Sequence, residues 1–248
     1  MIASLALATL LWPTSVTDHC KNIDADSIKI IGIAKDYDDK FLYCEVIRQT
    51  NESQIDIDYT RDGKLFATKT VSFSVSPFAP EIAQFDMRSG EKREVVSAQD
   101  NIVLKYQAQK NKKLQKTTIR KEDVQVIDAG FDNFMRAHWD ELNSEKILSI
   151  DFGSVAHQKV LPLRVSKKPA EKCAVKSNDS EVLTCFWVEI DNALLRLVLG
   201  NIKIAYDQQH RLRQYDGVVN LQSEDQDNQK ARINYFYGKD YEKLVEAE

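Results

Sequence analysis

The chain has 248 residues, 43% hydrophobic and 29% charged, with a formal charge of -4 and a pI near 5.7. That composition supports a sizeable core, in one large domain or two small ones. The acidic balance speaks against a general nucleic-acid partner, and only 8 Gly and 5 Pro exclude a low-complexity chain or a glycine-loop nucleotide binder.

Residues 1–16 are apolar and uncharged, too short for the roughly 20 residues of a comfortable membrane span. They read as the core of a secretory signal peptide, although no Lys or Arg precedes them and no small-x-small site follows. A buried N-terminal strand or helix is the alternative. Residues 17–248 then form a single β-rich domain, because no internal repeat or Pro/Ser linker divides them.

Ile28–Ala34 reads as a buried strand, Asp36–Asp39 as a turn and Phe41–Thr50 as the returning strand. Ile55, Ile57 and Tyr59 alternate with Asp56 and Asp58, and Arg61-Asp62-Gly63-Lys64 is an Asp-Gly turn. Leu65–Ser76 alternates for longer than an average strand, which suits a curved sheet or barrel. Pro77 and Pro80 bracket a bend, Met87–Arg93 is a further turn, and Ile102–Tyr106 is the next strand. Gln107–Lys116 carries Lys110, Lys112, Lys113 and Lys116. Charge runs are usually solvated, so a hairpin tip is expected there, with a basic hook for phosphate or anionic lipid as the functional alternative.

Asp128–Ser144 is the one stretch with a helical period. Phe131, Phe134, Met135, His138, Trp139 and Leu142 share a stripe, and Asp132, Arg136 and Asp140 lie opposite, spaced for ion pairs on a wet face. Asp128 is the expected N-cap. Beyond it, Ile147–Phe152 and Val160–Val165 read as strands, with Pro162 placing the second on an edge or at a bulge. Phe186–Ile190, Ile202–Tyr206, Leu212–Leu221 and Ala231–Tyr237 follow. Asn192–Leu199 fits either a short helix or a buried strand, and Lys239–Glu248 reads as a frayed tail.

Four cysteines make an even count without any Cys-x-x-Cys spacing, so disulfides in an oxidising compartment are expected and a zinc or redox motif is not. Cys173 and Cys185 flank the polar turn Lys176–Glu181, which suits a bridge, and Cys20 with Cys44 then remains by elimination. Four cysteines allow three connectivities, so the pairing is an inference.

No nucleophile elbow, P-loop, dinucleotide fingerprint or H-E-x-x-H occurs. Asp128 and Asp132 with His138 are the nearest approach to an acid/base cluster, and Asp151, Ser154 and His157 share only proximity in sequence. Two stretches, Asp128–Leu142 and Leu194–Tyr206 running on to Arg213–Gly217, resemble uncharacterised exported proteins of Gram-negative bacteria. Long strands with one helix are similar in style to half-barrel lipoprotein carriers and to DUF3108-like periplasmic proteins. That resemblance implies an exported fold and brings no catalytic residue.

The expectation is a mainly β protein: an antiparallel, strongly curved sheet or incomplete barrel, with one main amphipathic helix, 128–144, packed in its hollow. It is expected to be periplasmic or secreted, and non-catalytic. It would bind a lipid or other apolar ligand through Phe131, Phe134, Met135 and Trp139, without cofactor, metal or nucleic acid. The alternatives are an assembly protein offering a sheet edge to an envelope partner, and a hydrolase using Asp128 or Asp132 with His138.

Overall fold

Two-residue alternation dominates the sequence, and in a computed structural model the described residues form one fourteen-stranded antiparallel sheet. The structure describes residues 20, 30–144, 146–173, 183–192, 201–225 and 227–238. The signal-peptide stretch 1–16, the turn at 176–181, most of the ambiguous 192–199 segment and the tail 239–248 lie outside the described residues.

The strands are β1 (Ile30–Lys35), β2 (Phe41–Asn51), β3 (Gln54–Arg61), β4 (Lys64–Ser72), β5 (Glu81–Asp86), β6 (Glu91–Ala98), β7 (Asn101–Gln107) and β8 (Gln115–Arg120). After two short helices come β9 (Leu148–Ser154), β10 (Lys159–Lys168), β11 (Thr184–Ile190), β12 (Ile202–Tyr206), β13 (Leu212–Gln222) and β14 (Asn228–Tyr237). Each strand pairs with its neighbour in sequence except β8 with β9, and β1 pairs with β14 to join the two meanders. The free edges are therefore β8 and β9, strands consecutive in the chain.

The segment between those edges nearly closes the sheet. Gln125 and Val126 donate their amides to the Asp151 carbonyl at 2.9 and 3.2 Å, and Gly153 donates to the Val126 carbonyl at 2.8 Å. Val126 thus forms a parallel bridge with Phe152 of β9. Among the described residues no strand pairs with the outer side of β8.

The expected single helix is two. α1 (Gly130–Ala137) and α2 (Trp139–Asn143) meet at His138, whose φ of -105° and ψ of 24° leave the helical region. Phe134, Met135, Trp139 and Leu142 still fall on one side and join Val126, Ile150, Val165, Phe186, Val188, Ile204 and Tyr206 in a core cluster. Each large side chain buried there contributes roughly 1.5–3 kcal/mol.

Three further readings need correction. The strand expected over 65–76 stops at Ser72, because the Ser76 hydroxyl accepts from the amides of Phe78 and Ala79 at 3.3 and 3.0 Å and turns the chain. β5 forms between the expected bend and turn, where no strand is expected, and the start of β6 occupies residues expected to turn. Their inward positions carry Gln84, Asp86, Glu91 and Arg93 while Phe85 faces out at 40% exposure, so the usual hydrophobic pattern is inverted. Pro162 lies on an internal strand, but β10 outruns β11 there: pairing with β11 begins at Leu163, so the missing amide costs no ladder bond.

Both inferred disulfides form. Cys20–Cys44 has a Cα separation of 5.9 Å and Cys173–Cys185 one of 5.7 Å. Cys173 follows a 3-10 turn at Ala170–Lys172 instead of standing on a hairpin strand. The bridges fit an oxidising compartment.

Candidate functional site

The inner wall of the sheet is built in rows fixed by register. Ile55, Val71, Ile82, Val95 and Leu104 stand opposite one another across β3 to β7 and form an apolar row. Two residues along each strand, the next row reads Ile57, Lys69, Gln84, Arg93 and Tyr106, and the third reads Tyr59, Ala67, Asp86 and Glu91. A polar belt therefore crosses the hollow beside its greasy lining.

The belt ties the two halves of the sheet together. At Val218 to Gln222, β13 leaves its register with β14. It presents backbone carbonyls to the opposite wall. Gln84 donates to the Asn220 carbonyl at 2.6 Å, Arg88 to the Gln222 carbonyl at 3.0 Å, and Arg93 to the Asn220 side chain at 3.1 Å. Arg88 also pairs with Asp86 at 2.6 Å and lies over the Phe66 ring. Arg93 is held by Glu91 at 2.8 Å.

Asp128 directly follows the fully buried Val126 and Ile127 on the segment that leads into α1. It is not the N-cap: Ala129 holds that position, without a side-chain cap. Asp128 adopts a left-handed φ of 46°. Its carboxylate pairs with Lys69 and accepts from the Asn220 amide at 2.6 Å. Asp is one of the few residues other than glycine that visit that backbone region routinely, and here two partners distant in sequence hold its side chain.

Glu45 of β2 completes the belt. Gly32 of β1 stands between Glu45 and Tyr235 in register, and a Cβ there would lie 2.8 Å from the Tyr235 ring. The bare glycine lets Tyr235 cross β1 and donate its hydroxyl to Glu45 at 3.0 Å. Burial pushes the Glu45 carboxyl up to about 7, against the pull of Tyr235 and Lys69. Unfolding releases its proton at lower pH than the folded state does, so its contribution to stability is fully present below the unfolded value of 4.5 and is lost as pH rises through about 7. Glu45→Gln is expected to remove on the order of 2–3 kcal/mol of that loss. Urea unfolding of both proteins at pH 5 and pH 8 measures it; the same pH dependence in both would refute the assignment.

The predicted ligand-binding stripe is spent on the protein's own core. Trp139 stacks on His210 at 3.9 Å and meets Phe186 and Tyr206 edge-on at 5.5 and 5.6 Å. Phe134 lies 5.7 Å from Phe78 and 4.3 Å from His138, Met135 is fully buried, and Phe131 is half-buried.

Asp128, Asp132 and His138 are not brought together. Asp132 makes the expected ion pair with Arg136 at 2.9 Å and stays 32% exposed, and it also accepts from the Tyr206 hydroxyl of the core at 3.0 Å. Burial raises its carboxyl despite Arg136. Arg136 turns to Asp132 and Asn133, and among the described residues it makes no pair with Asp140. His138 contacts Glu141 at 3.2 Å. Ser154 and His157 do meet, at 2.8 Å, across the β9–β10 turn. Asp151 has the opposite strand parity to Ser154 and so points to the other face. Among the described residues no acid is hydrogen-bonded to the Ser154–His157 pair to complete a triad.

Outside the barrel, a groove of about 500 Å³ on β2 to β4 is lined by Arg48, Asp56, Asp58, Thr68 and Thr70. Its charges satisfy one another. Arg48 pairs with Asp58 at 2.6 Å, and Asp56 accepts from Thr50 and Thr70 at 2.7 and 2.8 Å, hydrogen bonds that hold its carboxyl below the usual range.

The fold is similar to that of a solved structure. It is the crystal structure of a beta-barrel-like protein of domain of unknown function DUF1849 from Brucella abortus, with a TM-score of 0.50 and 8% identity over 85% of this chain and 97% of that one. At that identity the likeness is one of fold: a barrel-like, mainly β architecture. No family model matches the chain, and no curated protein matches it.

The residues missed from sequence are Glu45, Lys69, Gln84, Arg93 and Asn220. A signal for three of them was present: the phase of Val71, Ile82 and Val95 runs on, two residues away, to Lys69, Gln84 and Arg93.

Proposed function

We propose that this is a non-catalytic binding protein of the cell envelope, exported to the periplasm, that holds an extended strand of a partner protein along β8. The supporting observation is the asymmetry of the two edges. β9 is sealed by residues 125–126, whereas β8 lacks a second neighbour among the described residues. An unpaired edge offers alternating amides and carbonyls to an incoming strand. Its exposed Lys116 disfavours pairing with a second copy of the same edge and suits a partner with an acidic side chain opposite it. The packing of the α1–α2 stripe on the core and the polar belt across the hollow support action at the surface.

Neighbouring residues on an edge strand direct their amides alternately to the sheet and to the outside. Of Thr117→Pro and Thr118→Pro, one should break a bond to β7 and lower stability. The other should leave the ladder intact and abolish recovery of the partner. Native mass spectrometry of protein purified from its own envelope reads both. A stoichiometric partner that survives both substitutions would refute the reading.

A second reading keeps a lipid in the hollow against Phe131, Phe134, Met135 and Trp139. It is favoured by Phe131, which is only half-buried on the stripe. It requires the helices to move outward, and a co-purifying lipid in the same spectrum would support it.

A further inference from the structure

The connections 62–63, 87–90 and 108–114 are alternate turns of a meander, so they lie at one end of the sheet. Each brings an exposed apolar side chain: Leu65 at 48%, Met87 at 47% and Leu114 at 48%. Backbone bonds tie them together, from Met87 to the Phe66 carbonyl at 2.8 Å and from Lys110 to the Ser89 carbonyl at 3.0 Å. The β7–β8 tip is braced as well, since the Gln107 side chain donates to the carbonyls of Lys110 and Lys112 at 3.2 and 2.9 Å.

Charge is concentrated on this tip. Lys110, Lys112, Lys113 and Lys116 are exposed, and no Asp or Glu occurs between Gln107 and Thr118. Elsewhere the lysines and arginines commonly face carboxylates, as Lys105 faces Glu94 at 2.7 Å and Arg120 faces Asp123 at 2.8 Å. Among the described residues none of the four tip lysines has a carboxylate within ion-pair distance. On the β1–β14 side, the turns at the same end carry Asp36, Asp38, Asp39, Glu224, Asp225 and Asp227. That end is thus basic at one side and acidic at the other.

We propose that the tip formed by Lys110–Lys116, with Met87 and Leu65 beside it, docks on an anionic phospholipid surface. Four unpaired cations around a protruding leucine suit a planar layer of phosphates over an apolar interior. The acidic half of the same end would be repelled, so docking tilts the molecule onto its β8 side. A polyanion that wraps the protein fits less well: the rest of the chain is acidic, and residues 108–116 include no aromatic ring on which a base could stack. The proposal rests on the reading of a surface-acting envelope protein but not on strand capture at β8.

The full chain should co-sediment with phosphatidylcholine vesicles that contain phosphatidylglycerol, and not with phosphatidylcholine alone. Added salt should release it, because exposed charges are screened. Each lysine is expected to strengthen partitioning about fivefold, so K110Q/K112Q/K113Q/K116Q together should weaken it several hundredfold. L114S should weaken it a few-fold more. All five side chains are exposed, so an unchanged circular dichroism melt certifies the fold. Binding indifferent to lipid charge or to these substitutions would overturn the proposal, and would point instead to the apolar residues 1–16. Equal, lysine-dependent binding of a single-stranded RNA would also overturn it, by making the tip a general polyanion site. Either failure leaves partner recovery through β8 untouched.

Discussion

Lys69→Met is expected to destabilise the protein by about 3–5 kcal/mol, although it keeps an unbranched side chain of similar length. Lys69 is 4% exposed and Asp128 11%, so removing the ammonium strands a carboxylate that retains only the Asn220 amide. Asp128→Asn should be costly for the mirror reason, since it leaves a buried ammonium without its counter-charge. The pair Lys69→Met/Asp128→Asn removes both charges, keeps an αL-tolerant residue at 128, and preserves a side-chain partner for Asn220. It should recover most of the loss, to within about 1–2 kcal/mol of the parent. Chemical denaturation of the four proteins closes the cycle. Additive losses would show that the two charges stabilise the fold separately. There is a linked consequence for Glu45: Lys69 pulls its carboxyl down, so Lys69→Met alone should move the pH dependence of stability upward.

Gly130→Ala should cost about 3 kcal/mol or more, beyond the usual penalty for overfilling a core. A Cβ at Gly130 would lie 1.9 Å from the Phe78 carbonyl oxygen, 2.4 Å from its carbon and 2.9 Å from the Phe78 Cα. These are backbone atoms, and the same carbonyl accepts the Ile127 amide at 2.9 Å, so neither side can yield cheaply. Relief requires α1 to move off the wall, which would separate Phe134 from Phe78 and disturb the stacking of Trp139 on His210. Loss of the near-ultraviolet signal from Trp139 together with a lowered melting temperature is the expected signature. An alanine variant as stable as the parent would mean that the chain at Phe78 and α1 pack loosely.

The barrel-like character was legible because β2, β3, β7 and β13 carry apolar residues on one face, and a strand's period of two is written directly into such a pattern. The helix was legible for the same reason at a period of 3.6. Its break at His138 was not, because the stripe continues through the kink. β5 was missed where Gln84 and Asp86 point inward and Phe85 outward, a local reversal that makes sense only once β13 stands across the hollow to receive the Gln84 amide. Asp128 read as a cap because an acid before a helix usually is one. Lys69, 59 positions earlier, drew it away.

By itself, the sequence determined the alternation, the helical stripe, the placing of cysteines for two bridges and the basic run at 110–116, since each depends on residues close together in the chain. Only the tertiary structure decided that β1 pairs with β14, that residues 125–126 seal β9 while β8 stays open, and that Glu45, Lys69, Arg93, Asp128 and Asn220 converge on one belt. Burial of a charge depends on what faces it across the hollow. That partner is chosen by sheet closure, which no local pattern of residues records.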